Sequence, residues 1–106
     1  MIARMWHGIT LASKADEYLH YLNETGVPDL QGTEGNLGVY VLRRLEGDRA
    51  HFWIISLWRS SDAIQAFAGP NPEIARYYPR DPEYLVELEP NVVHCEAWVA
   101  PGSPQT

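Results

Sequence analysis

Apolar positions between Gly35 and Gly69 change their spacing in a way that defines three elements. Two dense runs, ending at Glu46 and at Trp58, carry the β-branched and aromatic residues that suit a pleated surface. Glu46-Gly47-Asp48 between them supplies turn chemistry, with a glycine free to take positive φ. The spacing then becomes helical, with Ile64, Phe67 and Ala68 on one face. Ser60 or Ser61 can cap this helix, Asp62 and Gln65 stand at capping-box spacing, and Gly69-Pro70 stops it.

The flanking segments extend the pattern. Ile2 to Gly8 reads as a strand, and Ser13 with Asp16 starts a helix that points Ala15, Tyr18, Leu19 and Leu22 inward, ended by Gly26 and Pro28. Asn71-Pro72 and Asp81-Pro82 each offer a cap followed by proline, which predicts two short helical turns. Asn91 to Ala100 reads as the last strand. The order βαββαβ predicts a ferredoxin-like α+β domain over residues 1–100, an antiparallel sheet with helices on one face. Residues 101–106 have the composition of a flexible tail.

Side-chain alternation adds a partner. On the third strand Phe52, Ile54, Ser56 and Trp58 point one way and His51, Trp53, Ile55 and Leu57 the other, so both faces are largely apolar while helices can cover only one. A second protomer packed sheet to sheet would cover the rest, which predicts a homodimer. On the first strand the small or apolar set Ala3, Met5 and His7 is expected to face the helices, with Ile2, Arg4 and Trp6 opposite. His51 and His94 are expected on the dimer side with Trp53, Glu96 and Trp98, and Cys95 among apolar neighbours as a buried thiol.

Composition narrows the function. Twelve aromatics and an apolar fraction of 45% in 106 residues exceed what one small protomer readily hides. A formal charge of -6 with eight scattered Lys and Arg argues against a nucleic-acid partner. The one cysteine allows no internal disulfide, and no segment reads as a signal peptide or membrane span, so a cytoplasmic protein without membrane association is expected. The four histidines lie far apart and form no metal-ligand spacing, so no metal is expected. Glu83, Glu87 and Glu89 alternate with apolar residues and read as a solvated face.

Two stretches carry a family resemblance. Gly35-x-x-Gly38-x-x-x-Leu42-Arg43 with its acidic turn, followed by Leu57-Trp58-x-Ser60-x-x-Ala63-x-x-Ala66-Phe67, resembles the antibiotic-biosynthesis-monooxygenase superfamily of dimeric α+β barrels. That resemblance implies an oxygenase that needs neither metal nor flavin, acting on a small hydroxylated aromatic held in an apolar cleft. His7 is the candidate base, with Met5, Trp58, Phe67, Arg76, Tyr77 and Tyr78 as candidate substrate contacts; Arg76 to Tyr78 are expected on a short helical turn with one tyrosine facing the cleft. The superfamily's heme-degrading branch calls for an asparagine where this chain has His7, a tryptophan where it has Phe67, and a proximal histidine where it has Arg76-Tyr77-Tyr78. Heme or another flat hydrophobic ligand, bound with or without chemistry, is therefore the alternative to a cofactor-free reaction, and a noncatalytic dimer module is the third.

Overall fold

The computed structural model describes residues 1–102. Strand β1 (Ile2–Leu11) passes through one 3-10 turn (Ala12–Lys14) into helix α1 (Ala15–Glu24), then α2 (Gly26–Gly32). Strands β2 (Asn36–Glu46) and β3 (Arg49–Trp58) follow, then α3 (Ser61–Ala68), α4 (Asp81–Tyr84) and β4 (Val93–Glu96). The strands form one antiparallel sheet in the order β2-β3-β1-β4, the α+β ferredoxin-like arrangement expected from the sequence.

Local chemistry accounts for most of these boundaries. Gly47 takes φ +59° in the two-residue turn between β2 and β3, a conformation that costs a glycine nothing. The Ser60 hydroxyl accepts from the Ala63 N–H at 3.3 Å, and Gly69 leaves α3 at φ +88°. Residues 81–84 form the expected helical turn, whereas Asn71-Pro72 does not. There the backbone pairs instead with the chain before β4, Val92 N–H to Glu73 O at 2.8 Å and Ala75 N–H to Pro90 O at 2.9 Å.

Several expectations are corrected. Strand β1 runs three residues beyond Gly8, and α1 starts from the 3-10 turn with no side-chain cap from Ser13. Pro28 does not end the helical region. It sits in the first turn of α2, where a missing N–H leaves no bond unmade. The last strand is shorter than 91–100, and Trp98 is almost fully exposed. Cys95 is also exposed. Of the expected tail, Pro101 and Gly102 make an exposed turn and 103–106 lie outside the described residues. Among the described residues no helix is long and apolar enough to cross a membrane.

The core lies between α1, α3 and one face of the sheet. Tyr18, Phe52 and Trp58 are fully buried at its centre, with Leu22, Ile54, Ile64 and Phe67 around them. The division of β3 is as expected, since Phe52, Ile54, Ser56 and Trp58 are the buried set. The division of β1 is reversed. Trp6 pairs with Ile54, Arg4 with Ser56 and Gly8 with Phe52, and directly paired residues share a face, so Arg4, Trp6 and Gly8 face the helices while Met5 and His7 face away. A period of two fixes which residues travel together; the pairing with β3 decides which set is covered.

Candidate functional site

A cleft opens between the helices and the covered face of the sheet. Arg4, Trp6, Ile54 and Ser56 form its floor, Leu22, Gly26 and Leu30 one wall, and Phe67 the other. Arg76 and Tyr78, from the connection between α3 and α4, and Asp81, the first residue of α4, close its mouth. It encloses about 400 Å³ with the open mouth included. As folded, it is a tight slot.

The floor depends on a small residue. A Cβ at Gly8 would lie 2.5 Å from the Trp6 ring, so the indole rests across Gly8 and Leu85 and is fixed edge-on to Tyr77, with centroids 6.3 Å apart. Arg4 is 4% exposed, and its guanidinium sits 5.4 Å from the centre of the Phe67 ring. Arg76 lies against the same ring at 4.8 Å and against Tyr78 at 5.2 Å, so two cations flank one aromatic wall. Burial pulls the Arg4 pKa down to about 10, opposed by Tyr78 and helped to a smaller extent by Arg76.

No carboxylate answers Arg4 among the described residues. Its Nη2 donates to the Ile74 carbonyl at 3.4 Å and its Nε meets no acceptor. The two acids nearest the mouth are engaged elsewhere. Asp81 accepts from the Tyr18 hydroxyl at 2.8 Å and the Tyr78 N–H at 2.7 Å, and Asp29 accepts from the Tyr78 hydroxyl at 2.8 Å. Arg76 reaches Asp29 only at 3.6 Å and donates to the Phe67 carbonyl at 3.0 Å. Burial raises the Asp81 pKa against these two hydrogen bonds, and burial with the bond to Asp29 raises that of the Tyr78 phenol.

Three residues expected from the sequence, Phe67, Arg76 and Tyr78, meet in this cleft. The segment carrying the last two is extended, not a helical turn. Tyr78 is the tyrosine that faces the cleft; Tyr77 packs on Trp6 and donates to the Glu89 carbonyl. Trp58 does not line it. Its indole is fully buried behind Phe67 at 6.2 Å and donates to Ser56 Oγ at 2.8 Å. Met5 lies on the open face of the sheet.

His7 is there too, in a hydrogen-bonded chain. His7 Nδ1 is 2.7 Å from Glu89 Oε2, and His7 Nε2 is 3.0 Å from His51 Nδ1, with the two imidazoles stacked at 5.2 Å and Trp53 beside them. An ionised carboxylate only accepts, so with both rings neutral His7 carries its proton on Nδ1, His51 carries its proton on Nδ1, and the His51 Nε2 lone pair is free. Glu89 is thus a histidine partner, not part of a merely solvated face. The three groups are strung in a line, and among the described residues no cluster of His, Cys, Asp and Glu converges on a point that could hold a metal ion. His94, expected on the dimer side, pairs with Arg4 and lies on the helix side against Ile2 and Ile64. Burial first and Arg4 second hold its pKa below the usual histidine range.

Sequence reasoning passed over Arg4, Trp6 and Asp81 as site residues, and Gly26, on which the Tyr78 ring rests 3.4 Å from a Cβ position. One legible signal was the indole two residues before a glycine on the same strand, since that glycine makes room for the ring.

The antibiotic biosynthesis monooxygenase family model matches residues 9–71, more than half of the chain. No curated protein matches. Among solved structures, the chain is similar to MhuD, a heme-degrader from Mycobacterium tuberculosis with two hemes in its active site, at 19% identity and TM-score 0.57, covering 96% of this chain and all of that one. A mutant of MhuD with two manganese protoporphyrin IX per active site matches at 20% identity and TM-score 0.59 over 97% of this chain and all of the other. A candidate antibiotic biosynthesis monooxygenase from Bacillus cereus matches at 12% identity and TM-score 0.65, covering 93% of this chain and 96% of its own. At these identities the structures speak for the fold, and the family model speaks for the sequence: the chain belongs to the antibiotic biosynthesis monooxygenase family.

Proposed function

We propose that this protein is a cofactor-independent oxygenase of a small hydroxylated aromatic, which it holds in the cleft between the sheet and helices α1 to α3. The observation that carries the reading is the make-up of that cleft. Its walls are aromatic and apolar, Trp6, Leu22, Leu30, Ile54 and Phe67, and its mouth is closed by Arg76 and Tyr78. Family membership supports the reaction class. In such a reaction an ionised, electron-rich ring carbon attacks dioxygen, and a ring CH2 with O2 becomes C=O with water. The protein's part is to orient the ring, exclude bulk water and favour the ionised form. His7 lies on the opposite face of the sheet and does not reach a ring held here, so the ring's proton passes to water at the cleft mouth.

Binding of a porphyrin or another flat hydrophobe, with or without turnover, is the second reading; the porphyrin-bound neighbours favour it. The cleft as folded does not fit that group. No histidine stands among its lining residues, and Tyr78 and Arg76 close its mouth, so a porphyrin would have to displace both and find another axial ligand.

We also propose a homodimer formed through the open sheet face. Tyr40 and Leu42 are about half exposed there, beside Trp53, Ile55 and Met5, an apolar surface that a monomer of this size rarely leaves bare.

The test is thermal unfolding against hemin and a set of polyhydroxylated aromatics, followed by oxygen uptake. Stabilisation and oxygen consumption with phenols support the proposal. Stabilisation by hemin alone favours the second reading, and neither effect leaves the oxygenase reading without support.

A further inference from the structure

We propose that the Arg4 guanidinium makes this cleft a receptor for aromatic oxyanions, so that its occupant is bound as a phenolate or a carboxylate and not as a neutral ring. The inference rests on the reading of the cleft as an aromatic-ligand site. It adds the charge of the ligand and the residue that selects it.

A buried arginine stays charged, and a charge taken out of water is retained only where something compensates it. In this chain 14 acidic residues outnumber 8 basic ones, yet among the described residues none is placed against Arg4. Among those residues Nε has no acceptor, and the guanidinium makes one long hydrogen bond, to a backbone carbonyl. The two acids that could reach the cleft are held by other donors, Asp81 by Tyr18 and Tyr78, Asp29 by Tyr78. Arg76, itself 3.6 Å from Asp29, brings a second cation to the same Phe67 ring, and burial first and Arg4 second lower the pKa of His94 on the neighbouring strand. The Asp81 carboxylate lies at the mouth, so the unanswered cation of the cleft is Arg4 on its floor. A planar guanidinium with an unpartnered Nε, beside an aromatic wall, matches a planar oxyanion attached to a ring.

Trp6 contributes shape more than charge. Burial raises the Tyr77 phenol's pKa, with the Trp6 indole opposing it, and the indole N–H has no hydrogen-bond partner among the described residues.

The consequence for the proposed reaction is direct. An oxyanion receptor lowers the pKa of a bound phenol, so the proton passes to water at the cleft mouth and Arg4 holds the ionised form, which is the one that reacts with dioxygen.

The probe is 4-nitrophenol, whose visible absorption reports its ionised fraction, titrated with the full-length protein across a pH series. Bound 4-nitrophenol should ionise at a pH about one unit lower than the free phenol, a tenfold shift in favour of the anion. Arg4→Met should abolish that shift, and Arg4→Lys should restore part of it. Benzoate should displace the probe at least about tenfold better than the neutral isostere benzamide, which tests the carboxylate source on the unaltered protein even if Arg4→Met does not fold. Binding of 4-nitrophenol with an unshifted or raised pKa, or equal displacement by benzamide, overturns the inference and leaves the aromatic cleft standing. No binding of any of the three overturns both.

Discussion

Gly8 and Arg4 are the residues on which the floor of the cleft turns. Because the Trp6 ring lies 2.5 Å from where a Cβ would stand, Gly8→Ala should push the indole out of place, lowering stability by about 1–3 kcal/mol and altering the near-UV circular dichroism. Arg4 acts at a distance through charge. It helps hold the His94 pKa below 6.5, against the opposing pull of Glu73. A histidine whose folded pKa is depressed binds its proton first in the unfolded chain, so this contribution is intact above pH about 6.5 and is lost as pH falls toward the folded value. Arg4→Met should raise the His94 pKa, read by NMR titration, and shrink that acid loss of stability, which still begins near pH 6.5.

Among the α-helices, α4 is the shortest, and it anchors the cleft mouth. Its Asp81 ties α1 to the cleft mouth by accepting from a fully buried Tyr18 hydroxyl and from the Tyr78 N–H. Asp81→Ala orphans both donors, and urea unfolding should show a loss of about 1–3 kcal/mol for each. Asp81→Asn keeps one acceptor and should cost less. The carboxyl pKa is raised by burial, so its contribution is greatest below its ordinary range and declines as pH rises through the folded value. The asparagine variant should lack that decline. The Asp81-Pro82 dipeptide announced a helical turn in the sequence, because proline suits a first turn; its role as anchor was hidden, since the partners stand 63 and 3 residues away.

At the scale of the whole molecule, the sheet presents one covered face and one bare one. His7, His51, Trp53, Ile55 and the exposed Tyr40 and Leu42 share the bare face, with Glu89 reaching His7 from the segment that runs beside β1. If a second protomer covers it, sedimentation should give a dimer, and Trp53→Glu should give a monomer whose cleft still binds its ligand. A wild-type monomer at micromolar concentration would remove the dimer proposal. The hydrogen-bonded line from Glu89 to His51 would then lie at the interface, where an apolar surround makes each of its bonds costly to leave unmade.

The sequence by itself determined the local elements and their order. Gly47 at the hairpin, Ser60 and Gly69 at the ends of α3, and the alternation of Phe52, Ile54, Ser56 and Trp58 act through neighbours only a few residues away, so their meaning is carried by the sequence. It also named Phe67, Arg76 and Tyr78 as candidate contacts, and the three line one cleft in the fold. Only the tertiary structure decided which face of β1 is covered, because alternation is symmetric until β3 pairs with it in a particular register. That one choice moved His7 out of the cleft and Arg4 into it. A charged residue reads as exposed from composition, and only the packing of Phe67 and Arg76 around it reveals a buried cation with no acid at hand.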